Sequence, residues 1–268
     1  MDTLSAACAE VLGSAPVSRR KLHGGDLSEV LRLGLADGRE VVAKRGPMVA
    51  REARMLAAIA QAGAPAPRVL GVEGEVLLIE ALDETAPTGN AWARLGRDLA
   101  TLHASAGAGY GWSEDYAFGP VPITNAPAAD WPAFWAQRRL LPFLPHLPAA
   151  IAARVERLAG RLPELLPKAP APALLHGDLW RGNLLAGPGG RFYLIDPASY
   201  HGDAEVDLAM LHLFGTPGPG FAEAYGPLAP GWRERRAVYS LFPALVHVRL
   251  FGAGYHAMAE GFLAAAGA

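Results

Sequence analysis

Cysteine and lysine are both scarce in this 268-residue chain. A single cysteine, Cys8, cannot close an internal disulfide, which excludes a disulfide-stapled secreted fold and suits a reducing compartment. Cys8 falls on an apolar helical stripe and reads as a small packing residue. An excess of charge of one sign is lacking too. With 24 basic and 26 acidic side chains, the formal net charge of −2 leaves no electrostatic footprint for nucleic acid or for an anionic membrane. No uncharged apolar run is long enough to span a bilayer. The chain starts with Met1-Asp2 and places Glu10 inside its first apolar segment, unlike the basic start of a secretory signal, so the expectation is a cytoplasmic protein. There are no internal repeats and no low-complexity linkers. Lysine occurs only at Lys21, Lys44 and Lys168, with arginine used elsewhere, so a lysine at a strand end calls for a reason.

What the chain does have is a dense stretch at residues 174–196. Leu174-Leu175 leads into His176-Gly177-Asp178-Leu179-Trp180-Arg181-Gly182-Asn183, with an aspartate and, five residues later, an asparagine. That spacing matches the loop in which phosphoryl-transfer enzymes use an Asp to receive a hydroxyl proton and an Asn to hold magnesium. Leu184-Leu185-Ala186 and Phe192-Tyr193-Leu194-Ile195 flank the turn-rich Gly187-Pro188-Gly189-Gly190, a hairpin pattern that returns Asp196 beside Asn183. A transferring phosphoryl group spreads negative charge over its oxygens, so catalysis is mostly positioning and neutralisation by metal. Asn183 and Asp196 offer hard oxygens suited to Mg2+, which leaves Asp178 to orient the attacking hydroxyl. A lone Asp or Asn in a loop often just closes a side-chain turn. Here the ordered set of His176-Gly177-Asp178, Asn183 and a strand-terminal Asp196 favours the chemical reading.

Upstream, Leu4, Ala7, Cys8, Val11 and Leu12 predict a helix that Gly13 ends. A turn containing Gly24 and Gly25 precedes a strand through Leu33, and a second strand, Glu40–Arg45, follows Asp37-Gly38. A glycine pair between strands lets backbone amides approach phosphate oxygens, although a plain hairpin turn has the same look. Val41-Val42-Ala43-Lys44 resembles the strand that presents a lysine to nucleotide phosphates. A strand-end lysine is ordinarily solvated. Glu52, however, lies on the inward helical stripe of Val49, Leu56 and Ile59, where a carboxylate is costly unless paired, and Lys44 is its candidate partner. A surface pair of Glu52 with a nearby arginine is the alternative. Two further strands precede Glu80-Ala81-Leu82, which reads as the connection between lobes. A helix over 90–105 carries His103 as a hydrogen-bonded core histidine. The aromatics from Tyr110 to Arg139 read as lobe core, and helix continues over 149–166. Asp207 opens a helix whose dipole favours acids there.

His176-Gly177-Asp178-Leu179-Trp180 together with Asp196-Pro197-Ala198-Ser199-Tyr200 resembles the fructosamine kinase (ketosamine-3-kinase) family, from about Gly24 to Tyr255. The resemblance implies an α+β, two-lobed protein-kinase-like fold, with an antiparallel sheet and a helix in the N-lobe and a mainly helical C-lobe. It implies a nucleotide-binding lobe at 1–82 and a catalytic, acceptor-binding lobe at 83–268. The activity implied is ATP-dependent phosphorylation of a sugar hydroxyl, at O3, on a fructosamine or ribulosamine. Asp178 would be catalytic, and Asn183 and Asp196 would hold Mg2+. Gly24, Gly25, Lys44, Glu52 and the backbone of Glu80, Ala81 and Leu82 would bind ATP. Asp207 would brace the 176–183 loop, and the insert with Tyr110-Gly111-Trp112, Asp130-Trp131 and Phe134 through Arg139 is where the family tends to build its acceptor pocket. Some family members carry a cysteine near the glycine turn, which this chain lacks, so the expectation is a monomer and not a disulfide-linked dimer. Arg181 stands where the family has a small residue. That leaves an aminoglycoside- or choline-type phosphotransferase open as an alternative, and a non-catalytic pseudokinase, against which the retained ionic residues argue, is the alternative of a different class.

Overall fold

Residues 2–22 and 29–268 are described by the structure, a computed structural model of the chain. The glycine turn with Gly24 and Gly25 lies outside them. Helix α1, Thr3–Leu12, begins at Asp2, whose carboxylate accepts from the Ser5 amide at 2.8 Å, and stops at Gly13 with φ 67°. A side-chain N-cap and a left-handed glycine satisfy the polar groups that helix ends leave free. Its buried face, Leu4, Ala7 and Cys8, covers one side of a five-stranded antiparallel sheet. The strands are β1 (Pro16–Lys21), β2 (Glu29–Leu35), β3 (Glu40–Arg45), β4 (Val69–Glu73) and β5 (Val76–Glu80), in the spatial order β1-β2-β3-β5-β4.

Strand β3 sits at the centre with its four inner residues buried, and this explains why its apolar run is easy to read. Strand β1 is an edge strand whose residues after Pro16 are all exposed. Val17-Ser18-Arg19-Arg20-Lys21 carries no alternation because neither face is covered, so the sequence gives no sign of it. Helix α2, Val49–Gln61, packs on the other side of the sheet through Val49, Ala53 and Leu56, against Val42, Leu77 and Ile79.

After β5 the chain becomes mainly helical. Helix α3 (Ala91–Ala104) leads to a short hairpin, β6 (Tyr116–Phe118) and β7 (Val121–Ile123), and to α4 (Trp131–Trp135). Helix α5 (Ala149–Leu165) and β8 (Ala173–Leu174) follow. Next come β9 (Leu184–Ala186), β10 (Phe192–Leu194) and β11 (His201–Gly202). Helices α6 (Glu205–Leu211), α7 (Phe221–Tyr225), α8 (Trp232–Phe251) and α9 (His256–Ala265) complete the chain. The core of this part is aromatic, as the sequence suggests: Trp131, Phe134, Trp135 and Tyr239 are fully buried between α4, α5 and α8. The stretch Trp232–Ala265 has the length and apolar composition of a membrane span, but α8 is largely buried in this core. The expected hairpin β9–β10 forms, with Leu184 opposite Leu194.

Candidate active site

The central strand delivers Lys44 to the junction of sheet and helical body. A lysine there is costly in isolation because it is only 4% exposed. Helix α2 supplies the compensation: Lys44 Nζ donates to Glu52 Oε1 at 2.5 Å, and Glu52 is itself buried. The same ammonium donates to Asp196 Oδ1 at 2.6 Å, bridging 152 residues of chain. Burial alone would lower the Lys44 pKa, but the charges of Glu52 and Asp196 outweigh it, so the lysine stays protonated. The expected pair therefore forms, and the surface alternative for Glu52 does not.

Asp196 sits at φ 55°, the one non-glycine residue with positive φ among the described residues. Aspartate tolerates this left-handed region better than most residues, yet strain there concentrates at functional positions. Hairpin β9–β10 brings it home: the amide of Ile195 donates to the Asn183 carbonyl at 3.1 Å.

The 176–183 loop is held by a buried carboxylate. Asp207, in the first turn of α6, accepts from the amides of His176 at 2.7 Å and Gly177 at 2.9 Å and from His103 Nε2 at 3.2 Å. Burial would raise its pKa, but the His103 hydrogen bond, the neighbouring histidines and the Gly177 amide bring it below the usual value, so it remains ionised. Asp207 is thus a brace and not merely a helix-dipole acid. His103 is the hydrogen-bonded core residue that the sequence suggests, with Nδ1 against the Tyr225 hydroxyl at 2.9 Å. His176 is buried and its pKa is lowered chiefly by desolvation. Its Nε2 faces the Ile195 carbonyl at 2.9 Å and so carries the proton, while Nδ1 accepts from the Asp178 amide at 3.3 Å. Gly177, at φ 82°, has no substitute: an added Cβ would lie 2.1 Å from the Ala198 carbonyl oxygen.

Asp178 is half-buried, and desolvation pushes its carboxyl up to about 7; the Asn183 hydrogen bond opposes this, while the charges of Asp196 and Asp207 add to it. Asn183 Nδ2 donates to Asp178 O at 2.8 Å and to Asp178 Oδ2 at 2.9 Å. Two oxygen acceptors fix the amide orientation, which leaves Asn183 Oδ1 without a protein partner among the described residues. Asp196 Oδ2 is likewise without one. Two hard oxygens, with waters completing the shell, fit Mg2+. Among the described residues no cluster of three or more His, Cys, Asp or Glu could hold a metal alone.

At the sheet edge, Glu80 is still part of β5: its amide donates to the Arg68 carbonyl at 2.9 Å and its carboxylate accepts from the Arg68 amide at 2.8 Å. Ala81 and Leu82 lie beyond the strand. Tyr116 on β6 is the residue that sequence reasoning missed. Burial raises its pKa, and so do the negative charges of Glu52, Asp196 and Asp178, which places its phenol among the site's acids. A three-residue strand has too little pattern to announce it.

A strand lysine clamped by a helix glutamate, facing a braced Asp/Asn loop across the lobe junction, defines the class of two-lobed protein-kinase-like phosphotransferases. Known proteins narrow that class. The sequence profile described as Fructosamine kinase matches residues 1–266, and the chain belongs to the fructosamine kinase family of ATP-dependent phosphotransferases. The chain is 36% identical to a probable ketoamine kinase of Synechocystis sp. over 200 residues, 70% of this chain and 66% of that one. A probable ketoamine kinase of Thermus thermophilus is 37% identical over 244 residues, 87% of this chain and 88% of that one. The crystal structure of a Thermobifida fusca protein assigned as a fructosamine-3-kinase matches with a TM-score of 0.91 at 34% identity, covering 99% of both chains.

Proposed function

We propose that the protein transfers the γ-phosphoryl group of ATP to a sugar hydroxyl, O3, of a ketosamine such as a fructosamine or ribulosamine. The observation that carries this reading is Lys44, held at once by Glu52 and Asp196. The buried cation ties the sheet to the helical body at the point where triphosphate charge has to be met. In this reading residues 1–82 bind the nucleotide, with the glycine turn at Gly24 and Gly25 and the backbone beyond β5 at Ala81 and Leu82 around it. Residues 83–268 carry the catalytic and acceptor groups.

Asp178 accepts the hydroxyl proton as the hydroxyl oxygen bonds to the γ-phosphorus and the bond to the β,γ-bridging oxygen breaks, releasing ADP. Asn183 holds the Asp178 carboxylate in place from one side. His176 holds the Asp178 amide from the other. Asn183 and Asp196 would hold Mg2+, whose charge, when bound, neutralises the phosphate oxygens. Lys44 positions the phosphates, and Glu52 keeps it aimed. The protein acts as a cytoplasmic monomer, where ATP is supplied.

The test is ADP release in a coupled assay with ribulosamines, fructosamines, aminoglycosides and choline as acceptors. The proposal expects turnover of ketosamines, lost in Asp178→Asn. Preferential turnover of an aminoglycoside or choline would transfer the reading to the related phosphotransferases. A thermal shift with MgATP but no turnover of any acceptor would make the protein a non-catalytic nucleotide binder.

A further inference from the structure

Four large hydrophobic side chains are exposed among the described residues: Val17, Trp180, Phe214 and Phe251. Three of them belong to one continuous chain of rings. Trp180 meets Phe214 edge to face with centroids 5.8 Å apart, and Phe214 meets His247 at 5.6 Å. His247 in turn meets Phe251 at 5.6 Å and Tyr255 at 4.8 Å. These rings come from the 176–183 loop, the segment after α6, helix α8 and the turn Gly252–Tyr255, so they are not the stripe of a single helix. Phe214 is 51% exposed and Phe251 is 50% exposed, so much of each ring contributes nothing to the core. A contiguous exposed aromatic patch marks a contact surface.

The ladder starts at a fixed place. Trp180 lies two residues beyond Asp178, and its indole lies over Gly182, where an added Cβ would come within 2.2 Å of Cη2. Glycine lets the indole lie against the loop, with the ring edge to face with Phe214.

Resting on the ketosamine reading above, we propose that this ladder is the subsite for the amine-borne substituent of the acceptor and selects ketosamines whose substituent is apolar and aromatic. The sugar must reach Asp178 with its reacting hydroxyl, so the group on the ketosamine nitrogen is the part that leads away. The rings at Trp180 and Phe214 offer π faces to the protonated amine. His247, Tyr255 and Phe251 continue as a surface on which an aromatic substituent stacks edge-on or offset. A small alkyl substituent ends before the ladder does and gains little from it.

The experiment compares kcat/KM for two ketosamines of the same sugar, one made from benzylamine and one from methylamine, with the unsubstituted protein and with Phe214→Ala, Phe251→Ala and Phe214→Tyr. The unsubstituted protein is expected to prefer the benzylamine compound by about tenfold, the size of discrimination that one apolar contact gives. In Phe214→Ala that ratio falls to within about twofold through KM for the benzylamine compound, while Phe214→Tyr, which keeps the ring, restores it. Phe251→Ala lowers the ratio less. Both phenylalanines are half-exposed, and an unchanged KM for ATP together with an unchanged thermal midpoint shows that the variants are folded. Turnover of both acceptors with no preference, or a preference that survives Phe214→Ala, overturns the proposal alone. Turnover of neither acceptor by the unsubstituted protein overturns the ketosamine reading and this proposal with it.

Discussion

Asp178 pays for its position with an unfavourable charge. Its carboxyl stands at about 7 chiefly because the site desolvates it, and also because Asp196 and Asp207 lie near it, against the help of Asn183. A raised carboxyl pKa stabilises the folded state at acid pH and loses that contribution as pH rises from the usual carboxylate range through about 7. Above that, the ionised group opposes folding. Asp178→Asn removes the charge and keeps an acceptor for Asn183. It is expected to raise stability at pH 8 by on the order of 2 kcal/mol, seen as a thermal midpoint several degrees higher. The same variant should lower kcat about 100- to 10,000-fold. As a general base Asp178 must be ionised, so kcat/KM is expected to rise with pH through about 7 and then level. A profile flat from pH 5.5 to 9 would remove Asp178 from that role. The residue scale also shows what a sequence can reveal. Glu52 was legible because a carboxylate on an apolar stripe demands a partner, and Lys44 was the rare lysine within reach. The left-handed backbone of Asp196 and the bond from Asn183 to Asp178 were not, since neither leaves a trace in residue type or spacing.

Among the elements, α6 and the 176–183 loop form the critical joint. Asp207 satisfies two buried backbone amides and one histidine, so Asp207→Ala would leave these donors without a partner. The cost is expected at about 2–5 kcal/mol in urea unfolding, with activity lost before unfolding begins. A variant as stable and active as the parent would show that the loop needs no brace. Gly177→Ala should fail in the same way, because its Cβ would meet the Ala198 carbonyl oxygen. Legibility differs by element for a physical reason. Central β3 is buried on both faces and reads as an unbroken apolar run, whereas the helices α1, α2 and α3 have one buried face and therefore a period. Edge strand β1 and hairpin β6–β7 are too exposed or too short to have one, and with β6 went Tyr116. The aromatics of α4 were recognised as core, but the 110–125 segment that carries Tyr116 into the site was not divided into strands.

The sheet and the helical body are tied across the lobe junction by a shared hydrophobic cluster, which includes Ile59 and Ala64, and by several polar contacts. Lys44 to Asp196 joins sheet to helical body, and Arg54 to Glu114 joins α2 to the segment before β6, with two contacts of 2.7 Å. The link from Thr85 N to the Ala186 carbonyl at 2.9 Å anchors the connecting segment to hairpin β9–β10. A nucleotide that engages Lys44 adds to these ties. A non-hydrolysable ATP analogue with Mg2+ at 100 times its Kd should stabilise the protein by about 2.7 kcal/mol, and Lys44→Met should abolish most of the thermal shift. An equal shift in Lys44→Met would place the nucleotide elsewhere. The most direct test of the central claim is 31P NMR of a reaction containing ATP, Mg2+ and a fructosamine. The account predicts a new phosphomonoester signal coupled to a sugar carbon-bound proton, growing with ADP in the parent protein and absent in Asp178→Asn. The same signal growing at an undiminished rate in Asp178→Asn, or ATP converted to ADP and inorganic phosphate with no phosphomonoester formed, would contradict it.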